Sequence, residues 1–282
     1  MEGSFLLEAR SQLGLSALLY LAAFGTKLYA LIKDKNWDNL LFRPLLYSGF
    51  LFHSWGLYLR GLSTQSLPFS NPFEIFQVIG WLAVVLVLIF RAVTQMQLLS
   101  FFGTGLAALL GTISLQASSW DYAFTPTLMN NPWIPFHAAL AIFSYSLFSL
   151  AALTALMYLI QDYGLSAKRG HMLFSHLPSL KQLDAISSRF LHVGVIILSM
   201  AVVLGSMNWF AAKDVITLPK LIAAWTIWAA YLFLLLLKHY KQLHPGVFCK
   251  ACLLLFILAL VALWPLNRGL HARGIPPYTH HG

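Results

Sequence analysis

Charge is what this chain has least of. Only 10% of its 282 residues are Asp, Glu, Lys or Arg, and just nine are acidic. With 59% hydrophobic residues, a soluble protein of this length could not cover itself in polar groups. Nine acids, most of them in loops, also leave a proton-coupled carrier under-equipped. Cysteine is nearly absent. Cys249 and Cys252 are the only two, so a disulfide framework is excluded. No C-x-x-C-H occurs, so the chain is not itself a c-type cytochrome. A phosphate-cradling glycine loop, a nucleophile elbow and an H-E-x-x-H are missing too. The first residues, with Glu2, Glu8 and Arg10, are not a basic n-region with a small-residue cleavage site, and no cleaved signal peptide is read there. There is no fixed-period repeat and no low-complexity tract.

What is present is a series of apolar runs of roughly 20 residues, the length of a membrane-crossing helix. Eight are counted, at about 12–32, 44–62, 73–93, 98–117, 134–160, 190–209, 219–239 and 248–266. The expected fold is all-α, a single polytopic membrane bundle over residues 1–282 with about eight transmembrane helices. The segment 161–189 is the longest and least apolar connection on its side, and reads as a linker between helices 1–5 and helices 6–8. Ser70-Asn71-Pro72 reads as a cap before a proline-initiated helix.

The net charge of +9 reads as topology rather than as affinity for nucleic acid. Lys33, Lys35, Arg43, Arg91, Lys168, Arg169, Lys181, Arg189, Lys238, Lys241 and Lys250 fall on one side, eleven in all. Arg10, Arg60, Lys213, Lys220, Arg268 and Arg273 make six on the other. The positive-inside rule then places the larger set in the cytoplasm and both termini outside. His137 and His271 come to the same outer face.

Several residues have two readings. An interfacial His usually snorkels to water, but two imidazoles converging at one face can ligate a haem iron. His53 lies near mid-membrane, where an ionisable group is by default a functional candidate; the alternative is a bond to a neighbouring carbonyl. His192 and His239 are candidate inner-side partners for it. Glu74 reads either as a functional acid or as a complement to its helix dipole. Asp184 and Arg189 read as a local ion pair or headgroup contacts, and Tyr145 as core packing or part of the His137 groove. Cys249 and Cys252 have thiol–disulfide spacing, yet no thioredoxin-like unit surrounds them; two small residues in a membrane helix is the plainer reading. His280 and His281 belong to a polar tail read as disordered.

Four stretches share a family likeness: FHSWGLYLRGLSTQSLPFSNPFEIFQVIGW at 52–81, HAALAIFSYSLFSLAAL at 137–153, LDAISSRFLHVGVIILSMAVVLGSMNWF at 183–210 and GLHARG at 269–274. In that order they resemble the cytochrome c assembly protein family. This haem-handling group includes the CcsA, CcmC and CcmF proteins and divergent HemX-like and YpjD-like relatives. The resemblance implies a bacterial inner-membrane protein that binds or conducts b-type haem non-covalently at its outer face. His137 and His271 match the outer-face ligands, and His53 matches an intramembrane His. Trp209 would cover the porphyrin, and Lys213 or Arg273 would pair with its propionates. Implied partners are other assembly or redox-complex subunits and apocytochrome c. One departure stands out. The family's contiguous W-x-W-D-P-K-E loop is reduced here to Trp209, Lys213 and Asp214, with Pro219 and Lys220 further on and Trp225 and Trp228 inside the next helix. This implies an accessory factor without turnover chemistry of its own. Two other readings stay open: a HemX-like regulatory or structural subunit without haem, and a b-haem or quinone-binding anchor of a redox complex with His53 facing His192 or His239.

Overall fold

The computed structural model describes residues 2–33, 38–69, 71–94, 97–117, 120–121, 133–166, 178–211, 218–240 and 243–268. Among them are eight α-helices: α1 (Glu2–Lys33), α2 (Asp38–Thr64), α3 (Pro72–Thr94), α4 (Gln97–Gln116), α5 (Trp133–Ser166), α6 (Leu180–Ala211), α7 (Leu218–His239) and α8 (Pro245–Arg268). The chain is a polytopic membrane helix bundle, and among the described residues seven helices are long and apolar enough to cross a membrane. The eighth, α2, carries Arg43, His53, Ser54 and Arg60, which dilute its apolar character. Its 27 residues still measure about 40 Å, enough to cross.

The helices that pair most closely run antiparallel. Tyr20 meets Gly49 and Leu13 meets Gly56 across α1 and α2. Ser114 meets Gln77, Ala107 meets Gly80 and Gly103 meets Val87 across α3 and α4. Ser187, Gly194 and Ala201 meet Ala151, Phe148 and His137 across α5 and α6. Trp225, Trp228 and Lys238 meet Ser206, Ser199 and Asp184 across α6 and α7. The contacts form two groups, α1–α4 and α5–α8, joined mainly through α3 and α5. The expected linker is shorter than its 161–189 limits, because α5 runs on to Ser166 and α6 begins at Leu180. Helix α5, expected to close the first group, packs most extensively on α6 and α8.

Local chemistry explains the helix starts. The Asn71 side chain accepts the backbone N–H of Glu74 at 2.8 Å, which caps α3 as its Asn-Pro sequence predicts. Ser179 and Gln182 form a reciprocal capping box at the start of α6. Within α5, Ser144, Ser146, Ser149 and Thr154 return their hydroxyls to carbonyls three or four residues earlier, so this buried helix leaves those groups satisfied. Helix α5 is enclosed along most of its length, whereas α7 and α8 present most of theirs to the surroundings.

The α5–α6 contact depends on one glycine. A Cβ at Gly194 would stand 2.5 Å from the Phe148 ring. That ring cannot yield, because it is buried and stacked on Tyr231 at 3.8 Å between centroids. Gly194→Ala is therefore expected to lower stability by about 1–3 kcal/mol, the usual cost of overpacking a filled core. Thermal unfolding in detergent, compared with Gly246→Ala, where the added methyl meets nothing closer than 3.7 Å, checks it.

Candidate haem-handling site

The α5–α6 pairing sets His137. The residue sits in the first turns of α5, half-buried, with its ring laid against α6. Its Nδ1 lies 2.7 Å from the Ala201 carbonyl oxygen. A carbonyl can only accept, so Nδ1 carries the proton and donates. The lone pair then resides on Nε2, the arrangement usual for a metal-binding imidazole. Gly205, one turn beyond Ala201, makes the approach possible: a Cβ there would stand 2.6 Å from Cε1 of the ring. His137 is thus an oriented imidazole, held in one tautomer by α6.

The other residues expected at this face fall largely outside the described set. Lys213, His271 and Arg273 lie outside it, as do Asp214, His280 and His281. Trp209 lies in α6, but its side chain is outside the described residues. Helix α8 leads from Phe248, against Lys238, back toward the end of the bundle that holds His137, and its last residue, Arg268, stands three positions before His271. Trp225 and Trp228, expected inside the helix after the loop, meet edge to face on α7 and donate to Ser206 and Ser199.

His53 is placed differently. It is buried at 1% exposure among α1–α4, edge-on to Tyr20 and beside Gln77. Neither ring nitrogen makes a well-formed hydrogen bond among the described residues, but the Gln77 backbone and side-chain amide both lie close enough to act on the imidazole. His192 is exposed on α6, with Nδ1 on the Ser188 carbonyl at 2.7 Å. His239 ends α7 against the Tyr240 ring. Neither of them contacts His53 among the described residues. Tyr145 is core, packed edge-on to Phe148. Asp184 pairs across helices with Lys238 at 2.5 Å rather than with Arg189. Lys238 is the better partner because the antiparallel α6–α7 register brings it alongside. Cys249 and Cys252 are buried and free, as small core residues of α8.

One feature escaped the sequence reading. Arg60, counted there only as a loop-side charge, is 6% exposed. Its Nε donates to Glu74 at 2.8 Å, and its Nη2 to Asp121. Arg10 reaches the same Asp121 at 2.8 Å and the Leu115 carbonyl at 2.8 Å. Phe73 lies between both guanidinium groups, 5.3 and 5.4 Å from its centroid. Glu74 therefore does more than complement its helix dipole. The available signal was spacing: Arg60 follows His53 by seven residues, two helical turns on one face.

An apolar cavity of about 590 Å³ lies between α2, α3 and α5, lined by Leu57, Tyr58, Phe69, Trp81, Leu140 and Phe143 among others. Its one small polar group, Ser54, is already bonded to the Phe50 carbonyl and to Trp81 Nε1. Of the α5 residues that line it, Ala139 and Ile142 point away from the His137 side of the helix, while Leu140 stands one turn from His137.

With this geometry in view, sequence comparison identifies the group. Residues 44–271 match the family described as "Cytochrome C assembly protein". The chain belongs to this family. Protein HemX of Brevibacillus brevis is 28% identical over 56% of this chain, and the match spans 60% of that protein's length. Protein HemX of Bacillus subtilis (strain 168) is 22% identical over 73% of this chain and 76% of its own. The cytochrome c biogenesis protein CcsA of Porphyra purpurea is 24% identical over 92% of this chain and 89% of its own.

The buried ion cluster yields a prediction of its own. Arg60→Met should cost about 3–5 kcal/mol, because it leaves two acids, one at 1% exposure, without their central cation. Arg60→Met with Glu74→Met should recover more than half of that loss. Folded yield and unfolding midpoint in detergent, read for both variants, check the order.

Proposed function

We propose that this chain acts in cytochrome c biogenesis as a haem-handling accessory protein, holding b-type haem between His137 and His271 at the outer membrane face. The single observation that supports it most is the His137 tautomer: Nδ1 committed to Ala201, Nε2 left with its lone pair. The residues present suit the group. Two neutral imidazoles would hold the iron, Trp209 would offer an aromatic surface, and Lys213 and Arg273 would offer cations for propionates. The haem would be the cargo, and the protein's contribution is to orient ligands and keep the iron at the membrane surface. His53 remains a second candidate ligand by its family position. The family match ties the chain to cytochrome c assembly, and its alignment with HemX proteins as well as with CcsA proteins supports placement among divergent members. The reading places the chain in a bacterial inner membrane with both termini outside, beside other assembly subunits and an apocytochrome acceptor.

An absorption spectrum of purified protein tests the site. A Soret band is expected, and it should be lost in His137→Ala with His271→Ala. Gly205→Ala should lower haem content by roughly tenfold or more with both ligand residues left in the sequence, because a Cβ would push the His137 ring off Ala201. Wild-type haem content in the double variant would rule out the outer site.

The reduced tryptophan loop sets a second expectation. Each aromatic contact to a porphyrin is worth on the order of 1 kcal/mol, so fewer contacts mean more exchangeable haem. Expressed alone in a bacterium without its own assembly genes, the chain should attach no haem to a C-x-x-C-H reporter. Covalent haem on the reporter would show that the loop suffices.

A further inference from the structure

The cavity between α2, α3 and α5 has a defined depth. Its helical lining falls at 54–58 on α2, 78–82 on α3 and 139–143 on α5. Each stretch lies six to ten residues from its own helix end, at Thr64, Pro72 and Trp133. At about 1.5 Å per residue, that is roughly 9–15 Å below the three ends. Pro68 and Phe69, from the chain between α2 and α3, continue the lining toward those ends. The cavity therefore spans about 15 Å, the hydrocarbon depth of one leaflet in a bilayer whose core is about 30 Å thick.

It also has a side entrance. Helices α2 and α5 both pack on α3 but scarcely on each other, so the cavity opens between them. Tyr58, at its α2 edge, is 55% exposed, while Leu57, Val78 and Ile142 are buried at its floor. The inward polar groups are already spent. The Trp81 indole N–H donates to the Ser54 hydroxyl, which donates on to the Phe50 carbonyl. Among the described residues no charged one lines the cavity.

A volume of about 590 Å³ is that of a ligand pocket. Water does not fill it, because an apolar cavity offers no hydrogen bonds. Left empty, its lining would lose contacts on every side, and protein interiors are close-packed. A haem would bring iron and propionates to a surface with neither a ligand nor a cation. A partner helix, about 10 Å across, needs an open groove rather than a pit beneath a loop. A single hydrocarbon chain satisfies the depth, the side entrance and the polarity together. We propose that this cavity binds one acyl chain of a phospholipid from the leaflet at the Arg60 end, which enters between α2 and α5 and lies against α3. The two groups of helices join mainly through α3 and α5, so the bound lipid is part of that junction.

Photolabelling tests this. The full-length protein is reconstituted in phosphatidylethanolamine–phosphatidylglycerol vesicles with a trace of phospholipid carrying a diazirine midway along one acyl chain, and labelled residues are mapped by mass spectrometry. Val261 and Leu258, exposed on α8 seven and ten residues before Arg268, report ordinary boundary lipid at matching depth. Label on Leu57, Val78, Leu140 and Phe143 should exceed theirs by roughly fivefold or more, since the cavity surrounds a chain that α8 touches on one side only. Ala139→Trp, which fills the cavity, should lower that label by roughly tenfold and leave the α8 label unchanged. Label spread evenly over both places, or absent from the cavity, would overturn the proposal, and this wild-type comparison needs no variant to fold. Cavity label that Ala139→Trp leaves unaltered would overturn it too. So would stronger cavity labelling by a diazirine on a branched prenyl chain, which would assign the site to an isoprenoid instead.

Discussion

A guanidinium buried inside a membrane bundle must be neutralised where it lies, and Arg60 is neutralised by groups from other elements. Glu74 comes from the start of α3, and Asp121 from the chain beyond α4. Arg10 of α1 then balances the second acid. Two cations and two anions leave no net charge, which is the condition for holding such a group in low dielectric. The consequence is geometric. The ends of α1, α2, α3 and α4 are tied at one level, and α2 is held in the bundle despite being its least apolar helix. Everything along α2 inherits its depth from that anchor, including His53 two turns away.

The α5–α8 group is held by a different means. Its contacts are close approaches of small residues to rings: Gly194 to Phe148, and Gly205 to His137. In lipid, where apolar side chains gain little from meeting one another, close packing and hydrogen bonds between helices provide the association. Ser187 to the Ala151 carbonyl and Trp228 to Ser199 add such bonds on either side of the α6 glycines. The imidazole of His137 is therefore oriented by the same packing that joins α5 to α6. A backbone carbonyl fixes the ring without a second charged group in the membrane.

The two groups thus divide the work by chemistry. The first contains the ion cluster and a buried polar interior; the second contains the oriented imidazole and the outward-facing helices α7 and α8. Family membership spans both, since the matched residues run from α2 to just beyond α8.

The sequence by itself determined the class and the helix count, because runs of apolar residues of membrane length have few other uses, and it determined the α3 start, because Asn-Pro at a helix entrance acts locally. It also drew attention to His137, through its shared face with His271 and the motifs around the two. What it left open was pairing. Whether Asp184 meets Arg189 or Lys238 depends on the α6–α7 register, which one helix's sequence does not carry. Arg60 read as a surface charge because its partners lie fourteen and sixty-one residues away. The tautomer of His137 follows from a carbonyl on another helix, and a backbone oxygen has no letter in the sequence. His53 was legible as unusual, but only the tertiary structure showed that its neighbours are Tyr20 and Gln77 rather than another histidine. Local signals are written in the chain; long-range electrostatics and helix register are settled only when the bundle closes.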